Sequence, residues 1–130
     1  MATMRPNQRK ELTKERKVML AITLNAETNE AKEVQLPDGE SQLKELQEAV
    51  GGWVQAVDFT PQLTIWVNEE GKLHGLPINP MATFLWEKYF GLTDYICGNV
   101  IFTGGTDDEG YTLGLNEETA EQLRKFLHMN

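Results

Sequence analysis

Catalysis needs nucleophiles, bases or metal ligands at defined spacings, and this chain has few of them. Cys97 is the single cysteine, and His74 and His128 are the two histidines. A thiol becomes a nucleophile beside an activating base, and neither histidine stands near Cys97 in sequence. Its neighbours Tyr95, Ile96, Val100 and Ile101 instead predict a buried, small apolar side chain. One cysteine and two isolated histidines do not make a zinc cluster, and no H-E-x-x-H motif occurs. Gly104-Gly105-Thr106-Asp107 lacks the lysine and spacing of a phosphate-binding loop. Asp107, Asp108 and Glu109 lack the spaced ligands of a calcium loop. Glu69 and Glu70 are adjacent and point apart along an extended chain, so an acid/base pair needs a partner from elsewhere. His74 is expected to be exposed beside Gly75.

Binding chemistry is better represented. Trp53, Trp66, Trp86, Tyr89, Phe84 and Phe102 supply aromatic surface. Most of it must form core, and a ring left in a cleft can stack on a planar base at about 1–3 kcal/mol. Asn68, Asn79, Thr83, Asn99 and Thr103 stand at predicted element ends. Their amides and hydroxyls can read base edges or ribose without charge, although caps and turns alone would explain Asn68 and Asn79. Lys72 follows a turn glycine and is the expected cationic contact. Free N–H groups at the helix start Asn79-Pro80-Met81 could hold an anion. The candidate binding set is therefore Trp53, Asn68, Lys72, Asn79, Thr83, Asn99 and Thr103, with no catalytic residue, metal or cofactor expected.

The charge distribution narrows the partner. The 130 residues carry a net charge of −8. Residues 1–17 hold six basic and two acidic side chains, a net of +4, so the other 113 residues carry −12. An acidic body repels phosphate backbones, and direct nucleic-acid binding is not expected. The basic start is expected to be a loose, solvated extension over 1–16 or a contact for an anionic partner. No apolar stretch approaches the roughly 18–20 residues of a membrane span, and the first fifteen residues lack the apolar block of a secretory signal. A single cysteine suits a reducing cytosol.

Local patterning supplies the scaffold. Residues 17–24 alternate as a strand, and 31–36 return as its hairpin partner. Leu43, Leu46 and Val50 recur on one stripe of a helix over 41–50, which Gly51-Gly52 ends. Strands are expected at 53–59 and 63–67, with 72–76 pairing back after the turn 68–71. Asn79 and Pro80 start a second helix with Ala82, Leu85, Trp86, Tyr89 and Phe90 on its apolar face, closed by Gly91. Strands follow at 98–103 and 111–115. Asn116 then caps a last helix that buries Ala120, Leu123, Phe126 and Leu127. Without β-α-β alternation, the expected fold is α+β: one domain over 17–130, with a mostly antiparallel sheet of six or seven strands and three helices.

The ordered set Val50-Gly51-Gly52-Trp53, Asn68-Glu69-Glu70-Gly71-Lys72 and Gly75-Leu76-Pro77-Ile78-Asn79, continued by Asp94, Ile96, Gly98, Asn99 and Thr103-Gly104, resembles a small domain family of uncharacterised function. That family occurs in phages, plasmids and integrative elements, chiefly of Gram-positive bacteria. The resemblance spans about residues 17–115 and brings no catalytic residues. It implies a mobile-element setting, in which small acidic proteins often act against host defence.

Two functions are carried forward. The first is a non-enzymatic, homo-oligomeric binder that sequesters a nucleotide-like small molecule in the host cytoplasm, with no membrane partner. The second is an acidic decoy or DNA mimic that engages a host defence or restriction protein.

Overall fold

The computed structural model describes residues 19–129. The expected N-terminal extension 1–16, together with Lys17 and Val18, lies outside them. The order is β1 (Met19–Leu24), β2 (Ala31–Leu36), α1 (Glu40–Val50), β3 (Val54–Thr60), β4 (Leu63–Asn68), α2 (Pro80–Phe90), β5 (Val100–Thr103) and α3 (Glu117–Phe126). The five strands form one sheet in the order β2-β1-β5-β4-β3, with every neighbouring pair antiparallel.

Both faces of the sheet are covered. Ile22 pairs with Phe102, and Phe102 with Ile65. This row packs with Ala82 and Leu85 of α2 and Ala120 and Leu123 of α3. The alternate row, Met19, Ala21, Leu36 and Ile101, packs with Leu46 and Val50 of α1. Two covered faces explain why β1 is apolar at successive positions, whereas a sheet wet on one side alternates. A bulge between Asp58 and Thr60 shifts the β3 register where Phe59 joins the α2/α3 core.

The four helix ends marked by glycine or asparagine, at Gly51, Asn79, Gly91 and Asn116, stand as expected. Gly51 adopts a left-handed φ of 81° and donates to Gln47 O, a conformation glycine takes without a Cβ clash. Asn79 caps α2 and Asn116 caps α3, their side-chain oxygens accepting from Ala82 N and Thr119 N. The α1 stripe is shifted from expectation. Leu46 and Val50 are buried with Ala49 packed beside them, while Leu43 is 52 % exposed. On α2, Tyr89 and Phe90 stay partly exposed yet pack on Phe59, with ring centroids 5.0 and 5.6 Å away.

The sheet has five strands rather than six or seven. Residues 69–75 form consecutive turns, with His74 N donating to Glu70 O and Leu76 N to Gly71 O. Tertiary contact selects this shape: a Cβ on Gly71 would lie 2.7 Å from Cys97 O. Segment 111–115 makes a single bridge, Thr106 to Thr112, and hydrogen bonds from Gly104 N to Leu113 O and from Leu115 N to Leu20 O. It crosses the end of the sheet and adds no strand. Gly104 permits this crossing, since a Cβ there would meet Gly114 O at 2.2 Å.

Candidate functional site

A cleft of about 380 Å³ opens beside the edge strand β3. Gln55 and Val57 of β3, Val67 of β4, Trp86 of α2 and Ile96 form part of its lining. Turn residues 69–73 and the segment 94–97 complete it. An apolar floor with a few polar groups is the usual build of a small-molecule site. A broader hollow of about 660 Å³ between β2 and residues 127–129 is lined by polar side chains such as Glu30, Lys32, Glu33 and His128 and by no Phe, Tyr or Trp.

At the rim of the cleft, Lys72 Nζ donates to Asp94 Oδ1 and sits 4.4 Å from the centre of the Tyr95 ring. The hydrogen bond from Lys72 holds the Asp94 carboxyl below the usual carboxylate range, helped by the backbone N–H of Tyr95. The same contact raises Lys72 above the ordinary lysine value. Both side chains are nearly half exposed, so solvent screens the pair and it contributes little to stability. Trp86 donates its indole N–H to Thr93 Oγ1 at 2.9 Å, and that hydroxyl donates to Phe90 O. This fixes the ring at the end of α2.

Of the seven expected binding residues, Asn68 and Lys72 line this cleft. Asn68 also builds it: its oxygen accepts from Glu70 N at 2.8 Å and its amide donates to Val50 O at 3.2 Å, tying the 69–75 turn to the end of α1. Thr83 and Asn79 stand one step behind. Thr83 Oγ1 accepts from Ile96 N at 2.9 Å, and Asn79 N donates to Ile96 O at 2.7 Å. Together they dock the 94–97 wall onto α2. Asn79 is 0 % exposed, and its amide donates to Gly98 O and, at longer range, Leu24 O.

The other three lie elsewhere. Thr103 is fully buried, accepting from Trp66 Nε1 and donating to Gly104 O. Asn99 accepts from Ala26 N and lines a separate depression of about 220 Å³. Trp53 is 67 % exposed outside the cleft, with its carbonyl accepting from Glu69 N. Trp53, Asn79, Thr83, Asn99 and Thr103 are therefore not in the lining that holds Asn68 and Lys72. The physical reason is that buried backbone groups need partners, and Asn79 and Thr103 supply them. Sequence reasoning left out of the site Gln55, Asp94 and Tyr95, which reach the cleft through long-range packing and carry no local motif.

The remaining reactive groups are dispersed. Cys97 is a buried free thiol. His74 Nε2 lies 3.1 Å from Glu70 Oε1 across one exposed turn. Asp107 accepts from Glu109 N and Tyr111 N within its own loop. Among the described residues, no three His, Cys, Asp or Glu side chains gather to hold a metal, and no helix is long and apolar enough to cross a membrane.

Comparison with curated proteins gives no match. Comparison with solved structures gives none either. One family model, described as a domain of unknown function, DUF3846, matches residues 19–128. That span takes in the five strands and three helices of the described residues, so the chain belongs to the DUF3846 family.

Proposed function

We propose that this protein binds without turnover and sequesters a nucleotide-derived small molecule, whose planar ring enters the cleft beside β3. The observation that carries this reading is the lining itself: Val57, Val67 and Ile96 with the rings of Trp86 and Tyr95, rimmed by the Gln55 amide, the Glu69 and Glu70 carboxylates and the Lys72–Asp94 pair. Aromatic and aliphatic surface takes up a base, and amides read its edge. A volume of about 380 Å³ suits a single nucleoside-sized group rather than a whole dinucleotide. The remainder of a larger ligand would lie outside, where a second subunit of a homo-oligomer could cover it. Sequestration demands tightness: a Kd near 1 nM corresponds to about −12 kcal/mol. The setting we assign is the cytoplasm of a bacterial host, in service of a phage or other mobile element that evades nucleotide-based defence signalling.

Calorimetric titration of the full chain against nucleosides, cyclic dinucleotides and ADP-ribose derivatives tests the reading, with NMR following the Trp86 indole N–H. The expected result is one saturable ligand that shifts Trp86. Baseline heats and an unmoved indole signal for every compound would sink it.

A second reading, the acidic decoy or DNA mimic, draws on the −12 charge outside residues 1–17. Two of the six basic side chains in that region, Lys72 and Arg124, are engaged by carboxylates. This reading requires salt-sensitive capture of a DNA-binding host protein and indifference to nucleotides.

A further inference from the structure

The charge of the cleft bears on which ring it takes. Its ionisable lining consists of the carboxylates Glu69, Glu70 and Asp94 against a single cation, Lys72. Lys72 is already committed, because its ammonium donates to Asp94 and lies over the Tyr95 ring. A phosphate entering here would have to pull Lys72 from Asp94 and would then face Glu69 and Glu70. A cation meets the opposite situation. A carboxylate and an aromatic face are the two groups that hold an organic cation. The side chain of Lys72 demonstrates the arrangement, since its Nζ takes the place that a ligand's positive charge would occupy.

The geometry points to a ligand whose ring is positively charged, a pyridinium or N-alkylated heterocycle of nucleotide origin, bound between Asp94 and Tyr95 in place of the Lys72 ammonium with any phosphate directed outward. This rests on the cleft reading above and specifies its ligand class. Lys72 then works as an internal competitor, released to solvent when the ligand arrives. The cleft, with its aromatic and aliphatic walls, defines the site, and the carboxylates decide the sign of what enters it.

The test uses the full chain and two nucleosides of nearly equal shape. Nicotinamide riboside carries a pyridinium cation, and its reduced dihydro form is neutral. NMR titration following Tyr95 and Trp86 should show the cation binding severalfold more tightly, the size expected of cation–π and carboxylate contacts at a half-exposed rim. Lys72→Met should tighten the cation severalfold by removing the competitor, and Asp94→Asn should weaken it by a similar factor. Both positions are exposed enough that the fold tolerates either change. Equal binding of the two nucleosides, or weaker cation binding by Lys72→Met, overturns the inference while leaving a ring-binding cleft intact. Binding of neither form, with heats from another compound in the wider panel, overturns it as well and leaves the cleft reading standing. Silence at Tyr95 and Trp86 for every compound removes both.

Discussion

Replacing Asn79 separates a structural role from a ligand-contact role, because the two make opposite demands. Asn79 has no exposed surface, caps α2 through Ala82 N at 3.2 Å, and donates to Gly98 O at 3.0 Å and to Leu24 O at 3.4 Å. In Asn79→Ala the lost cap costs about 1 kcal/mol. The buried Gly98 carbonyl loses its side-chain donor, at about 1–3 kcal/mol. The Leu24 contact is long and adds little. The sum is about 2–4 kcal/mol, a large part of the 5–15 kcal/mol that typically holds a domain. For a chain of this size it lowers Tm by roughly 7–15 °C. Asn79→Asp distinguishes cap from donor. Aspartate caps a helix as well as asparagine does, but here it would set a carboxylate oxygen against two backbone carbonyls. It is therefore expected to destabilise at least as much as alanine. Thermal and urea unfolding followed by far-UV circular dichroism measure both variants. A drop below about 3 °C in Asn79→Ala, or a wild-type Tm in Asn79→Asp, would refute the argument that this amide holds the Gly98 turn.

Other expectations follow from single contacts. Gly51→Ala places a side chain at φ 81° with nothing within 4 Å of the new Cβ, so backbone strain alone should cost about 1–2 kcal/mol. Gly105→Ala has no such strain but would set its Cβ 1.9 Å from Pro61 O; a larger loss of stability than at Gly51, or no folded protein at all, is expected in the same unfolding assay. Arg124 donates to Glu33, Glu117 and Glu121, and the Glu33 contact lowers that carboxyl below its ordinary value. A lowered folded pKa means the contribution is present above the unfolded glutamate range and is lost as pH falls through the folded value. Carboxyl-carbon NMR should therefore give Glu33 a midpoint below that of free glutamate, returning toward it in Arg124→Gln. The Cys97 thiol is buried and should react with a thiol reagent slowly in the native protein and quickly in denaturant.

What could be read from the sequence depended on how far each residue's partners lie along the chain. Asn116 caps a backbone group three residues away, and Gly51 answers Gln47 four residues back. Such features have local signatures, and the three helices and the strands of the two hairpins were legible from them. The expected turn at 68–71 is present, but the strand expected at 72–76 is replaced by further turns through residue 75, because Gly71 closely approaches Cys97 O, 26 positions on. Segment 111–115, expected as a strand, makes only one bridge, Thr106 to Thr112, and isolated hydrogen bonds to Gly105 O and to Leu20 O of β1.

The candidate site shows the same division more sharply. Uncharged polar residues at element ends are the type that reads ligands, and they are equally the type that satisfies buried backbone groups. Asn79 does the second through Gly98 O, 19 residues away, while the Thr103 hydroxyl is taken up by the Trp66 indole, 37 positions back, and by Gly104 O; composition cannot distinguish these uses. Lys72 illustrates the converse. Its place after the turn glycine marked it as a cationic contact for an anion, yet Asp94 and Tyr95, 22 and 23 positions on, turn the same ammonium into part of a cation-holding arrangement. Lys72 carries a local signature in its turn glycine, whereas its partners Asp94 and Tyr95 are set by the fold and have none.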